Sequence, residues 1–168
     1  MFFPSDLKNQ ITEILNLAQE KNIKIAVAES CTGGLLSALF TEISGSSKTF
    51  ERGFVTYSNA AKISMLGVKK ETLEKFGAVS KEVACEMAIG AIKNSLADFS
   101  IAITGIAGPE GGSAEKPVGL VHIACFIKKN QRFISREFHF SGDRDEVRRS
   151  SLIAALEILL NHAKQIHW

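Results

Sequence analysis

The stretch 23-IKIAVAESCTGG-34 decides the fold of this 168-residue chain. Its apolar first half is typical of a buried strand, and it breaks into small polar residues and two glycines. The apolar pattern resumes at Leu35, which indicates a strand, a loop and a helix in succession. Such a junction places Ser30 and free backbone N–H groups at a helix N-terminus, where carboxylates, phosphates and oxyanions bind. We therefore expect the chemistry to lie at this junction.

Helical and extended patterns alternate along the rest of the chain. A cap at Ser5 or Asp6 precedes apolar residues at helical spacing and predicts an opening helix through Ala18. Further helices are predicted over 33–43, 59–66, 71–76, 80–96 and from Asp143 onward, and strands over 23–28, 53–57, 100–104, 118–127 and 132–140. A hairpin turn at 129–131 joins the last two strands. This order predicts an α/β protein with a single domain over residues 1–168, a three-layer α/β/α sandwich with a mixed β-sheet.

Composition and charge argue against several classes of protein. A net charge of +2 is too small to favour a nucleic-acid partner, and the apolar runs are shorter than a membrane span. The N-terminus lacks the basic and apolar regions of a signal peptide. Cys31, Cys85 and Cys125 lie far apart, and the four histidines lack metal-ligand spacing. We therefore expect a cytoplasmic protein with no structural metal, no nucleic-acid partner and no membrane segment.

Three loops that follow predicted strands carry the candidate functional residues. They cover residues 29–34, 57–62 and 104–112. In open α/β sheets, ligands bind outside the carboxyl ends of the strands. The sequence therefore predicts that the three loops meet around one pocket.

The first two loops offer a candidate nucleophile and a candidate base. Ser30 is the candidate nucleophile, although a serine here can also serve only as a helix cap. These loops contain no histidine, so Lys62 is the best base, provided that burial keeps its amine neutral. Tyr57 can relay a proton or pack against a substrate ring, or it is an ordinary strand residue. Cys31 is expected to be a packing residue, with its pKa somewhat lowered by the helix N-terminus.

The ends of two later elements add candidate ligand contacts. Thr104 and Gly105 end a strand with a hydroxyl and an approachable backbone, which suits ligand contact or an ordinary turn. Arg144 lies at the start of the last helix, where a cation opposes the helix dipole. It therefore needs an anionic partner, which is Asp143, Asp145 or a phosphate group of a ligand.

The motifs that carry these residues resemble the CinA C-terminal domain family. The resemblance rests on Lys62 and on segments 27–35, 53–59, 77–80, 103–109, 111–112, 116–119 and 140–144, in the order that the family has them. It covers almost the whole chain. Some family members have an additional N-terminal domain associated with pyrophosphatase activity. We do not expect that activity here, because the chain is too short to hold that domain.

The resemblance implies an enzyme that hydrolyses the carboxamide of nicotinamide mononucleotide (NMN) to nicotinate mononucleotide and ammonia. It implies a catalytic dyad of Ser30 and Lys62 supported by Tyr57, with Thr104 and Arg144 in the substrate site. No metal or redox cofactor is implied. Family members are generally dimers or larger, so a homodimer or larger homo-oligomer is implied as well.

Some details of that mechanism stay open at the level of sequence. Backbone N–H groups around Thr32, Gly33 and Gly34 are expected to stabilise the oxyanion. Either Arg144 or a helix N-terminus holds the 5′-phosphate of the substrate. One alternative function is a non-catalytic nucleotide-binding module linked to competence or DNA damage. Another is a hydrolase acting on a different amide or on a phosphate ester, which a requirement for a divalent metal would favour.

Overall fold

A five-stranded sheet runs through the centre of the structure, a computed structural model that describes residues 3–165. The strands are β1 (Ile25–Glu29), β2 (Phe50–Val55), β3 (Phe99–Gly105), β4 (Leu120–Ile127) and β5 (Arg132–His139). Their order in the sheet is β2-β1-β3-β4-β5. Strand β1 pairs in parallel with β2 and β3, whereas β3, β4 and β5 pair antiparallel. The predicted mixed sheet and the late hairpin are confirmed.

Helices cover both faces of this sheet. They are α1 (Ser5–Glu20), α2 (Leu35–Thr41), α3 (Asn59–Leu66), α4 (Lys70–Phe76), α5 (Lys81–Lys93) and α6 (Arg144–Gln165). Apolar side chains of α1, α2 and α6 form one core with larger strand residues such as Val27 and Ile101. Helices α3, α4 and α5 form a second core against small strand residues such as Ala26 and Ala102. The three-layer α/β/α sandwich is confirmed, and the small residues on the second face let α5 lie close to the sheet.

Several element boundaries differ from the predicted ones for local reasons. Helix α2 begins at Leu35 instead of residue 33, because Gly33 and Gly34 have φ values of +62° and +96°, outside the helical region. Strand β2 begins three residues earlier than predicted, at Phe50, and ends at Val55. The N-cap of α1 is Pro4 and its first helical residue is Ser5, so the expected cap at Ser5 or Asp6 is wrong.

Helix α3 has the predicted bounds. Its N-cap is Ser58, whose hydroxyl accepts a hydrogen bond from the N–H of Ala61, and it ends at Gly67, which has a positive φ. Among residues 3–165, no helix is both long enough and apolar enough to cross a membrane. Residues 1, 2 and 166–168, with His167 among them, lie outside the described part of the chain.

The close approach of α5 to α3 yields a stability prediction. A Cβ atom on Gly90 would lie 2.0 Å from the carbonyl oxygen of Leu66, which is backbone and cannot rotate away. We expect Gly90→Ala to lower the free energy of unfolding by about 1–3 kcal/mol, because overpacking outweighs the gain in helix propensity. Urea unfolding measures the change. Lys93→Ala on the exposed face of α5 is the control, and a midpoint for Gly90→Ala at or above that of the unsubstituted protein would contradict the prediction.

Candidate active site

The three predicted loops meet around one cavity at the carboxyl ends of β1, β2 and β3. The cavity has a volume of about 230 Å³. Six of the candidate residues line it: Ser30, Tyr57, Lys62, Thr104, Gly105 and Arg144. This convergence follows from the sheet order, because β1 lies between β2 and β3 and runs parallel to both. The predicted meeting of the loops is confirmed.

Lys62 and Ser30 are in direct contact inside this cavity. The cap at Ser58 starts α3 so that Lys62 lies in its first turns, and the Lys62 side chain is only 1% exposed. Lys62 Nζ lies 2.9 Å from Ser30 Oγ and 2.9 Å from the carbonyl oxygen of Thr56. The carbonyl oxygen of Tyr57 lies 3.4 Å from the same nitrogen. None of these three partners is a carboxylate.

This set of partners fits a neutral amine. Burial lowers the pKa of the Lys62 ammonium from its usual 10.5, against a smaller opposite effect of the Cys31 thiol. A neutral amine has two N–H bonds and one lone pair. The two carbonyl oxygens can accept the two N–H bonds, which leaves the lone pair directed at Ser30 Oγ. Lys62 is therefore placed to accept the hydroxyl proton of Ser30.

The buried carboxylate of Glu29 occupies the N-terminus of α2. Its two oxygens accept hydrogen bonds from the N–H groups of Gly34, Leu36 and Ser37, at 3.2, 3.0 and 2.8 Å. The hydroxyl of Ser37 donates a fourth hydrogen bond at 2.7 Å. The side chain of the residue before Ser30 therefore fills the anion site that the sequence assigns to a ligand.

This arrangement corrects the expectation for the oxyanion site. The N–H of Gly34 donates to Glu29, and the N–H of Gly33 donates to the carbonyl oxygen of Ser30 at 3.1 Å. Thr32, Gly33 and Gly34 do not line the cavity. The expectation that the two glycine N–H groups stabilise an oxyanion is therefore wrong, because both groups already have acceptors within the chain.

The expected pKa shift of Cys31 is also wrong. Burial raises the pKa of the Cys31 thiol to about 11, and the nearby Glu29 carboxylate acts in the same direction. Hydrogen bonds from the N–H groups of Cys31 and Thr32 oppose this shift and do not outweigh it. The helix N-terminus cannot stabilise the thiolate strongly, since its donors point at Glu29. Cys31 lines the cavity as a neutral thiol, and the side chain that contacts Lys62 Nζ is the hydroxyl of Ser30.

Arg144 and Tyr57 meet at the mouth of the cavity. The guanidinium of Arg144 donates to the carbonyl oxygen of Gly108 at 2.8 Å and to the hydroxyl of Tyr57 at 3.2 Å. Neither expected carboxylate pairs with it: Asp143 Oδ1 caps α6 by accepting from the N–H groups of Asp145 and Glu146. Within residues 3–165, Arg144 thus forms no ion pair, and its charge is available to an anionic ligand.

The structure places the Tyr57 side chain away from the dyad. Tyr57 is 63% exposed, and only its main-chain carbonyl approaches Lys62. Its hydroxyl is engaged by Arg144. The ring can therefore contact a ligand at the cavity mouth, whereas the phenol does not hydrogen-bond to Ser30 or Lys62.

Thr104 and Gly105 form the floor of the cavity at the end of β3. The hydroxyl of Thr104 donates to the carbonyl oxygen of Ala78 at 2.8 Å, so that it fixes the opposite wall and can only accept from a ligand. A Cβ atom on Gly105 would lie 2.6 Å from Val121 Cγ2 and 2.9 Å from the carbonyl oxygen of Leu120. Glycine is therefore required at position 105 for packing.

Two contributions to the site were missed at the level of sequence. Ala78 and Val79 line the cavity, although at the level of sequence they were named only within the family motif 77–80 and given no role in the site. Glu29 was given no role, although a carboxylate just before a glycine-rich helix start is the group that the helix dipole favours. The position of this carboxylate in the sequence could have identified Glu29 as the residue that occupies the helix N-terminus.

The sequence profile of the CinA C-terminal domain matches residues 7–163. The chain therefore belongs to the CinA C-terminal domain family. A protein of Escherichia coli K12 named nicotinamide-nucleotide amidohydrolase PncC is 49% identical over 155 residues, which are 92% of this chain and 93% of that protein. The crystal structure of the competence/damage inducible protein CihA from Agrobacterium tumefaciens has a TM-score of 0.92 at 48% identity, over 96% of this chain and 99% of that one.

Other relatives are much longer than this chain. A protein of Caldicellulosiruptor saccharolyticus is 50% identical over 155 residues, and 91% of this chain matches 37% of that protein. A CinA-like protein of Kosmotoga olearia is 45% identical over 146 residues, 87% of this chain and 35% of its own length. This chain thus spans little more than a third of these relatives.

The role of Glu29 can be tested through stability. Glu29→Gln replaces one acceptor oxygen by an amide group that faces N–H donors. We expect the free energy of unfolding to fall by about 3 kcal/mol, because charged hydrogen bonds are lost and buried donors are left unpaired. Urea unfolding measures the loss. Glu74→Gln, at a 65% exposed side chain paired with Lys70, is the matched control and should change stability by less than about 0.5 kcal/mol. Equal losses for the two variants would refute the role of Glu29.

Proposed function

We propose that this protein hydrolyses the carboxamide of NMN to nicotinate mononucleotide and ammonia through a serine–lysine dyad, and that it serves NAD salvage. The observation that carries the proposal is the 2.9 Å contact between Lys62 Nζ and Ser30 Oγ inside the cavity. A buried amine beside a serine hydroxyl can activate that hydroxyl for attack on an amide without a histidine.

The named relatives support the same chemistry. The E. coli protein named nicotinamide-nucleotide amidohydrolase PncC is 49% identical and is spanned over 93% of its length. NMN is a nicotinamide nucleotide whose carboxamide is the bond that an amidohydrolase would cleave. Activities of the longer relatives are not carried over, since this chain matches only 37% and 35% of their lengths.

The first half of the proposed reaction acylates Ser30. Neutral Lys62 takes the proton of Ser30 as Oγ attacks the carboxamide carbon. The carbon–nitrogen bond then breaks, and the leaving nitrogen takes the proton from the Lys62 ammonium and departs as ammonia. The nicotinoyl group is left on Ser30 as an ester.

The second half releases the product. Water attacks the ester carbonyl and gives a proton to Lys62. The ester bond to Ser30 Oγ breaks, the proton returns to that oxygen, and nicotinate mononucleotide leaves. Each proton that Lys62 accepts is handed on within the same half-reaction, so the dyad ends as it began.

The main-chain N–H of Cys31 is our proposed oxyanion donor. Cys31 follows the nucleophile and lines the cavity, and within residues 3–165 its N–H contacts only its own weakly accepting thiol and donates to no oxygen, so a developing oxyanion can replace that contact. An N–H directly after a nucleophilic serine is close to the oxygen that develops charge. This donor replaces the groups of Gly33 and Gly34, whose protons are engaged elsewhere.

Arg144 is our proposed phosphate ligand. It has no ion-pair partner within the described residues, and its two bonds to Gly108 and Tyr57 aim the guanidinium at the cavity. A guanidinium binds phosphate through paired, charge-assisted hydrogen bonds. The exposed ring of Tyr57 is then available to pack on the pyridine ring, and we assign the proton of ammonia to Lys62 instead of the phenol.

The proposed function is tested by ammonia release from NMN. We expect Ser30→Ala and Lys62→Met to lose the activity, because the first lacks the nucleophile and the second lacks the base. The expected fall is at least about 10³-fold for each. Ser47→Ala, on an exposed turn far from the cavity, is the control and should retain full activity.

Two outcomes would contradict this assignment. Ammonia release that survives in folded Ser30→Ala would refute the dyad. No release by folded, unsubstituted protein that still binds NMN would refute the amidohydrolase function and favour the nucleotide-binding module.

The lowered pKa of Lys62 gives a second, independent prediction. Only the neutral amine accepts a proton, so activity should be present above the pKa of Lys62 and fall as the pH decreases through it. Because burial lowers that pKa, the midpoint of this limb in kcat/KM should lie below 10.5. A limb with its midpoint at or above 10.5, or a rate that falls as the amine deprotonates, would contradict a buried neutral base.

A further inference from the structure

The wall of the cavity formed by residues 76–79 is held by side chains. This segment joins α4 to α5, and Ala78 and Val79 line the cavity. The carbonyl oxygen of Gly77 accepts from the Ser80 hydroxyl at 2.9 Å, and that of Ala78 accepts from the Thr104 hydroxyl. The wall belongs to no strand, so these side-chain bonds take the place of a sheet ladder.

The remaining two carbonyl groups of the wall accept from a single ammonium. Lys116 Nζ donates to the carbonyl oxygens of Phe76 and Val79, at 2.5 and 2.7 Å. The turn closes tightly around this group, since a Cβ atom on Gly77 would lie 3.0 Å from Lys116 Nζ. Gly77 also has a φ of +76°, which favours glycine there. The wall is therefore shaped to receive this one side chain.

The backbone of Lys116 is itself fixed. Its N–H donates to the Ser113 hydroxyl at 3.0 Å, and its carbonyl oxygen accepts from the N–H of Ser113 at 2.8 Å. Within residues 3–165 Lys116 forms no ion pair with a carboxylate, so its hydrogen bonds go to the wall. The Lys116 side chain thus extends to the wall from a turn that two hydrogen bonds to Ser113 hold in place.

The loop that carries Lys116 also forms the other side of the cavity. It joins β3 to β4, and its earlier residues Ile106, Gly108 and Gly111 line the same cavity as Ala78 and Val79. Lys116 therefore connects the two sides of the space in which a substrate would lie. It touches neither Ser30 nor Lys62, so its removal leaves the dyad in place.

We propose that Lys116 is a positioning residue that fixes the width of the substrate cavity by holding the 76–79 wall. It acts through Ala78 and Val79 and belongs to the proposed NMN hydrolysis, on which this inference rests. Loss of its two hydrogen bonds frees the wall to move away from the bound pyridine nucleotide. Binding is then weakened in the ground state and the transition state alike, which raises KM and leaves kcat nearly unchanged.

The test compares three lysine substitutions in steady-state NMN hydrolysis. Lys116→Met, which keeps the aliphatic stem and removes the donors, should raise KM about tenfold with kcat within about threefold. Lys116→Arg, which keeps the charge and several donors, should restore KM to within about threefold of the unsubstituted protein. Lys70→Met on α4, at a 74% exposed side chain, is the control and should change neither constant.

Amide hydrogen exchange adds a measurement that needs no substrate. Exchange at residues 77–80 should be faster in Lys116→Met than in the unsubstituted protein, and unchanged in Lys70→Met. If Lys116→Met does not fold, Lys116→Gln, whose shorter amide reaches at most one carbonyl, takes its place in both measurements.

The outcomes separate this inference from the proposed function. If the unsubstituted protein releases no ammonia, the proposed function fails, and the exchange data alone decide whether Lys116 holds the wall. An unchanged KM, a fall in kcat at constant KM, or unchanged exchange at residues 77–80 would overturn the role of Lys116.

Discussion

The structure of the site depends on one buried carboxylate. Glu29 is fully buried, and removing a carboxylate from water is tolerated only where several donors converge on it. The first turn of α2 and the Ser37 hydroxyl provide those donors. The loop between β1 and α2 must therefore fold back over the Glu29 side chain. Ser30, the next residue, is held by the same turn on the side that faces the cavity.

The main chain of Glu29 extends this constraint to Lys62. Its carbonyl oxygen accepts from the N–H of Thr56 at 2.8 Å, and the carbonyl oxygen of Thr56 accepts from Lys62. Glu29 thus fixes Ser30, the proposed nucleophile, through its side chain, and it fixes the carbonyl acceptor of Lys62, the proposed base, through its backbone. The N–H groups at the N-terminus of α2 already donate to the Glu29 carboxylate, so the helix dipole contributes little to activation of Ser30. In the proposed mechanism, activation therefore comes from Lys62, which lies across the sheet edge on α3.

Sequence patterns were sufficient to predict the three layers and the meeting of the loops at 29–34, 57–62 and 104–112. The layers follow from local periodicity, and the loops meet because the parallel strands before them end at one edge of the sheet. The bounds of α3 followed from Ser58 and Gly67, whose effects are also local. The acceptors of the Gly33 and Gly34 N–H groups depend on how the loop folds around the Glu29 side chain. The periodicity of the sequence carries no information about that side-chain orientation. The wall at 76–79 was missed for a similar reason, since Lys116 reaches it across 37 to 40 positions of the chain.

Lys62 and Lys116 differ in burial and in partners, and they have different roles in the two proposals. Lys62 and Lys116 each donate to two main-chain carbonyl oxygens. Lys62 is 1% exposed and has a serine hydroxyl as its third partner, so the cost of desolvation favours the neutral amine and directs its lone pair at a proton. Lys116 is only half-buried, has no serine hydroxyl among its partners, and donates both hydrogen bonds to the wall. In the two proposals, the same side chain with the same kind of acceptor thus serves as a base at position 62, where it is buried against a serine hydroxyl, and as a positioning group at position 116.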